Sequence, residues 1–160
     1  MVIDGGFQES GEALVQHIEK YYGTKTVDLV ISTHPDEDHS SGLSVVLEEC
    51  KVGALLMHRP WEHAVDIKNA FKNGRITASG LKQKIEKSLQ GASDLEGIAN
   101  RKGVSIVEPF QGVKGYSGAL HILGPSQEYY ESLLPLFKAT AYSGETGHLF
   151  RFLVDSHSVF

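Results

Sequence analysis

Residues 27–32, Val-Asp-Leu-Val-Ile-Ser, form a short, β-branched apolar run between two stretches of helical spacing. A run of this kind reads as a strand buried within a covered sheet. Parallel neighbours need long crossover connections, and a helix is the usual one. Upstream, Leu14, Val15, Ile18, Tyr21 and Tyr22 recur at helical spacing within 9–22, and Gly23 supplies a stop. Before them, Val2-Ile3 runs into Asp4-Gly5-Gly6, a strand ending in a turn. Downstream, Leu43, Val46 and Leu47 share one face of a helix expected over 42–50, and 54–57 reads as the next strand. Strand, helix, strand and helix in alternation predict an α/β layered fold.

The rest of the chain continues the alternation less regularly. Helices are expected over 63–73, 76–90 and 93–102, with Gly74 and Gly91 as punctuation. A strand is expected over 104–107, then a loop with Gly112, Gly115 and Gly118, a strand over 120–123 and a helix over 127–137. A last strand is expected over 149–154, followed by a turn over 155–158. No internal repeat or linker is visible. The single cysteine, Cys50, rules out an internal disulfide and fits a reducing, cytoplasmic setting. There is neither a basic-then-apolar leader nor an apolar run of membrane-spanning length, so no membrane role is expected. With 20 acidic against 15 basic residues, the chain lacks the footprint of a duplex DNA binder.

The chemistry concentrates in Thr33-His34-Pro35-Asp36-Glu37-Asp38-His39-Ser40-Ser41-Gly42. His34, Asp36, Asp38 and His39 fall directly after an apolar strand and before a helix. Imidazole and carboxylate are ligands for divalent transition metals, and a loop at a strand end can turn several of them toward one point. The plainer reading is a solvated acidic loop in which Asp38 caps the next helix.

The stretch "STHPDEDHSSG" resembles the His-x-His-x-Asp-His motif of the metallo-β-lactamase superfamily. His34, Asp38 and His39 match it, and Asp36 stands where the second His is usual. Similar His-Pro-Asp-x-Asp-His-x-x-Gly stretches occur in the metallo-β-lactamase-like domain of bacterial competence (DNA-uptake) proteins. "VIDGG" resembles the superfamily's strand upstream of the motif, and "HILGPS" a later strand. The resemblance implies an αββα sandwich over 1–160, the N-terminal part of a longer domain, with 63–102 as a helical insertion. It implies two divalent ions, Zn²⁺ or Mn²⁺, with His34 and Asp36 on one and Asp38 and His39 on the other. Asp4 would support the motif loop from behind. The implied activity is hydrolysis by a metal-activated hydroxide that Asp38, the expected catalytic residue, helps to orient, on a phosphodiester or nucleotide. The Gly-Asp step that normally brings a bridging Asp is absent. The competing expectation is therefore a non-catalytic metal-binding or regulatory domain, and unpaired strand edges would favour homo-oligomers.

Other residues are weighed separately. His58, Arg59, Trp61 and His63 follow the strand at 54–57 and are candidates for a substrate entrance, Arg59 meeting a phosphate and Trp61 stacking a base. The alternative is a surface loop anchored by a half-buried Trp. His121, within a strand, reads first as a structural histidine and His148 as plain loop, while His17 and His157 read as structural or exposed. Lys82, Lys84 and Lys87 read as a solvated basic face.

Overall fold

A computed structural model of the chain describes residues 1–70, 77–115 and 118–141, with side chains as far as Leu136 and excepting that of Ala70. Two compact units emerge. The first comprises Met1–His58 and Leu89–Val107; the second comprises Arg59–Ser88 and the chain from Glu108 onward.

The first unit is a four-stranded parallel sheet in the order of the sequence. Its strands are β1 (Val2–Ile3), β2 (Thr26–Ile31), β3 (Lys51–Leu56) and β4 (Ser105–Val107). Helices α1 (Gln8–Tyr22), α2 (Glu37–Glu49) and α5 (Gln90–Lys102) pack side by side, α2 in the middle. Each crossover steps one strand along, which lays successive helices against one another. Val27, Leu29, Val30 and Leu55 of the strands are buried, as are Val15, Leu43, Val46, Leu47 and Leu95 of the helices. Gly23 ends α1 in the left-handed conformation with its N–H on the Glu19 carbonyl, the stop expected there. Among the described residues both edge strands are short, which limits what their outer edges can template.

The motif helix begins at Glu37, not near 42 as the apolar spacing suggests. Asp36 takes the extended N-cap conformation, and its carbonyl accepts the N–H groups of His39 (3.0 Å) and Ser40 (2.9 Å). Glu37 and Asp38 suit the first turn of a helix, so the polar stretch that reads as loop is half helical. The N-cap residue is Asp36, which makes no side-chain cap bond, and Asp38, the cap of the plainer reading, lies in the first turn.

Three glycines let the loop after β1 touch the helices. A Cβ on Gly42 would lie 2.0 Å from the Gly5 carbonyl oxygen, and one on Gly11 would lie 2.3 Å from that of Gly42. The Gly42 N–H donates to Gly6 O (2.9 Å), so backbone rests directly on backbone.

The second unit holds α3 (Ala64–Ile67), a 3₁₀ turn (Lys68–Ala70), α4 (Ala78–Ser88) and α6 (Gln127–Ala141). It also holds a two-stranded antiparallel sheet of β5 (Lys114–Gly115) and β6 (Leu120–His121). Ala64, Ile67, Leu81, Tyr130 and Leu134 form its apolar cluster, with Ile85 and Phe110 against it. Among the described residues, the strands outside the first unit's sheet are these two alone. Helix α5, inside the stretch 63–102, packs on α2 and feeds β4 as part of the first unit. The strand expected over 149–154, the turn over 155–158, His148 and His157 lie outside the described residues. No described helix is long and apolar enough to cross a membrane.

Candidate metal centre

Because β1 and β2 run parallel, both end at the same edge of the sheet, where ligands collect in open α/β folds. Asp4 leaves β1 with φ 54°, a left-handed conformation that Asp tolerates better than most residues. Its N–H donates to Ile31 O (2.9 Å), and the next amide, Gly5 N–H, donates to His39 O (2.8 Å). The Asp4 side chain is thereby aimed at the loop after β2.

That carboxylate organises the loop. Oδ1 accepts the Thr33 N–H (2.9 Å), and Oδ2 accepts the Thr33 hydroxyl (2.6 Å) and lies 3.0 Å from His39 Nδ1. A carboxylate offers no proton, so His39 must donate from Nδ1, which leaves the lone pair on Nε2. Thr33 gives its only proton to Asp4, so its oxygen must accept from His34 Nδ1, 2.8 Å away. His34 therefore also keeps its lone pair on Nε2. One carboxylate sets both tautomers, one directly and one through a threonine. Backing of this kind orients metal-binding histidines and raises their basicity.

The two lone pairs face the remaining carboxylates. His34 is 8% exposed, and its buried Nε2 has no hydrogen-bond partner among the described residues. Asp36 Oδ2 lies 3.9 Å from it. His39 Nε2 lies 3.6 Å from Asp38 Oδ2, and the two rings are 3.8 Å apart between centroids. One potential ligand atom each from His34, Asp36 and Asp38 lies within 4.8 Å of the others, as do atoms of Asp4, His34 and His39. Among the described residues, Asp4, Asp36 and Asp38 form no ion pair with Lys or Arg. A buried, orphaned nitrogen beside carboxylates without a basic neighbour fits a divalent cation. Asp4 has its lone pairs committed to Thr33 and His39, which suits support rather than coordination. Helix α5 backs the loop: a Cβ on Gly91 would lie 3.0 Å from Ser40 Oγ and 3.5 Å from the Pro35 carbonyl.

All the residues expected in the motif thus converge with Asp4. Thr33 is the member that sequence reading missed; a threonine beside a His carries no signal until its partner across 29 residues is known.

The residues expected at a substrate entrance are placed differently. His58 and Arg59 are half-buried, while Trp61 is 0% exposed, so its ring faces are closed to a base in this conformation. His63 is 5% exposed and lies between two carboxylates, with Nδ1 2.8 Å from Glu131 Oε1 and Nε2 3.3 Å from Glu108 Oε1. The Glu108 bond, opposed by burial and aided by Glu131, raises the His63 pKa above its ordinary value. For Glu108, burial opposes ionisation, but the His63 ring and the Arg59 N–H (2.8 Å) prevail and lower its pKa. Lys82 pairs with Glu62 (2.6 Å), while Lys84 and Lys87 are exposed, as expected of a solvated face. His121 is exposed on β6 rather than structural, and His17 is exposed on α1 against Tyr21.

A parallel α/β unit with histidines and carboxylates at the carboxyl ends of its strands defines a metal-site α/β protein. The family comparison makes the class specific. The metallo-beta-lactamase superfamily model matches residues 1–129, and the chain belongs to that superfamily, whose members are usually metal-dependent hydrolases. No curated protein and no solved structure matches the chain significantly.

Proposed function

We propose that this protein is a metal-dependent hydrolase acting on a phosphodiester or nucleotide-type substrate. The observation that carries the reading is the pair of lone pairs on His34 Nε2 and His39 Nε2, fixed by Asp4 and facing Asp36 and Asp38. In this reading His34, Asp36, Asp38 and His39 hold divalent ions, Zn²⁺ or Mn²⁺, and Asp4 and Thr33 hold the ligands. The mixed set of imidazole and carboxylate suits either ion. A divalent ion held there supplies Lewis acidity, making water nucleophilic at neutral pH and offsetting charge on an oxyanion. The chain's own residues do the rest. Asp4 and Thr33 keep protons off both Nε2 atoms, and Asp38, half exposed at the first turn of α2, is placed to accept a proton and orient the attacking water. The phosphodiester preference rests on the resemblance of Asp36 at the second motif position to competence-type domains.

The test pairs metal analysis with turnover. Purified chain should carry divalent metal and hydrolyse bis(p-nitrophenyl) phosphate in the presence of Mn²⁺ or Zn²⁺. His39→Ala should lose both while keeping its circular dichroism. Metal-dependent turnover retained in His39→Ala would refute the assignment. Bound metal with no hydrolysis across a phosphodiester panel would favour the non-catalytic metal-binding module.

A further inference from the structure

We propose a second divalent-cation site in the other unit of the chain, formed by His63, Asp66 and Glu131. His63 precedes α3, Asp66 lies one turn on, and Glu131 comes from α6, which packs on α3. One potential ligand atom from each lies within 4.8 Å of the others.

The two sides of the buried imidazole differ. On the Nε2 side stands Glu108, already engaged by the Arg59 N–H (2.8 Å) and by its guanidinium (3.9 Å). A carboxylate held in this way accepts the ring's Nε2–H (3.3 Å), so a cation that displaces the proton between Nδ1 and Glu131 Oε1 (2.8 Å) takes the Nδ1 lone pair, the arrangement that backs metal-binding histidines elsewhere. On the Nδ1 side stand Glu131 and Asp66. Gln127 donates to Glu131 (2.8 Å), and the Asp66 side chain makes no hydrogen bond or ion pair among the described residues. Charge points the same way. With a proton on each ring nitrogen, Glu108, Glu131 and Asp66 outnumber Arg59 and His63 by one negative charge. A divalent ion in place of the Nδ1 proton makes the group neutral.

The surroundings are dry on one side. Phe110 and Tyr130 present ring edges to His63, with centroids 5.8 and 5.4 Å away, and Ala64, Ile67 and Leu134 extend the apolar wall. A low-dielectric wall strengthens ion–ligand attraction. One nitrogen and two carboxylates suit Zn²⁺ or Mn²⁺. Three ligands from two elements would tie the α3 turn to α6. This proposal does not depend on the His34–His39 site.

The test is equilibrium Zn²⁺ titration against a chromophoric chelator. In a His34→Ala/His39→Ala double variant, one equivalent should remain. Adding Asp66→Asn or Glu131→Gln should weaken that equivalent about tenfold or more. Zn²⁺ should also shift the His63 ring ¹⁵N signals in the double variant. A folded double variant that binds no Zn²⁺, or one whose remaining equivalent survives Asp66→Asn and Glu131→Gln unchanged, overturns the proposal. If the double variant does not fold, Asp66→Asn alone must weaken one of the wild-type equivalents about tenfold or more; no change refutes the site. Failure of the His34–His39 reading looks different, because total metal would then not fall in the double variant.

Discussion

Replacing Asp4 by Asn gives the sharpest test of how the His34–His39 site is built. Asn tolerates the left-handed backbone at φ 54° as well as Asp does, so the turn itself is not in question. What changes is the pattern of donors. Asp4 now accepts from Thr33 N (2.9 Å), Thr33 Oγ1 (2.6 Å) and His39 Nδ1 (3.0 Å). With the amide nitrogen in place of Oδ2, the His39 N–H meets a donor, and the ring must move its proton to Nε2. The threonine hydroxyl loses its acceptor as well and turns its proton toward His34. With the amide flipped, the Thr33 N–H is stranded instead, at about 1–3 kcal/mol. Disturbing a ligand's backing typically costs 10–100-fold in metal affinity, about 1.4–2.8 kcal/mol. The assay is Zn²⁺ competition against a chelator, with ¹H–¹⁵N two-bond couplings reading the His39 tautomer. Zn²⁺ affinity within twofold of wild type, in a variant of wild-type stability with an unchanged tautomer, would refute the argument that Asp4 sets the ligands.

Four further outcomes follow from the packing and the charges. Gly42→Ala should destabilise the chain by about 3 kcal/mol or more in urea unfolding, because its Cβ would sit 2.0 Å from a backbone oxygen. Gly97→Ala, exposed within α5 with nothing within 4 Å, should stabilise it by about 0.5–1 kcal/mol. Cys50 is buried and its pKa is raised, first by desolvation, so Ellman's reagent should label it slowly in native buffer and fast in urea. In chelator-treated protein, the raised His63 pKa contributes stability that is full below about pH 6.5, its unfolded value, and lost as pH rises through the folded value. The lowered pKa values of Glu108 and Glu131 contribute stability present above about 4.5 and lost as pH falls. The melting temperature should therefore decline on the alkaline side, and His63→Gln should flatten that limb.

The motif loop, its metal-type ligands and the alternating architecture were legible because each is local. Residues 27–32 are an apolar run, and His34 to His39 are close neighbours in the chain. The start of α2 was misread because its first turn is entirely polar, and helical spacing of apolar residues begins only at Leu43. The backbone cap at Asp36, not apolar periodicity, sets that boundary. Thr33 goes unnoticed, and His63 reads as a substrate-entrance residue, for a different reason. Their partners lie 29, 45 and 68 residues away, and a hydrogen bond across such a separation leaves no periodic trace. Trp61 illustrates the same limit: a lone Trp after a strand looks ready to stack a ligand until its burial is known.

The shortness of β1 has a consequence for the order of assembly. A two-residue edge strand contributes little cohesion of its own and would be expected to fray. Here the residue that follows it, Asp4, carries the carboxylate that braces both histidines, so in the proposed metal-binding reading cation capture and edge docking become one cooperative event. A ligand that binds only the docked state stabilises it by mass action. Amide exchange at Asp4 and Gly5, whose N–H groups reach Ile31 and His39, then reports cation occupancy from the margin of the sheet. In that reading a two-residue edge strand becomes the latch of its sheet.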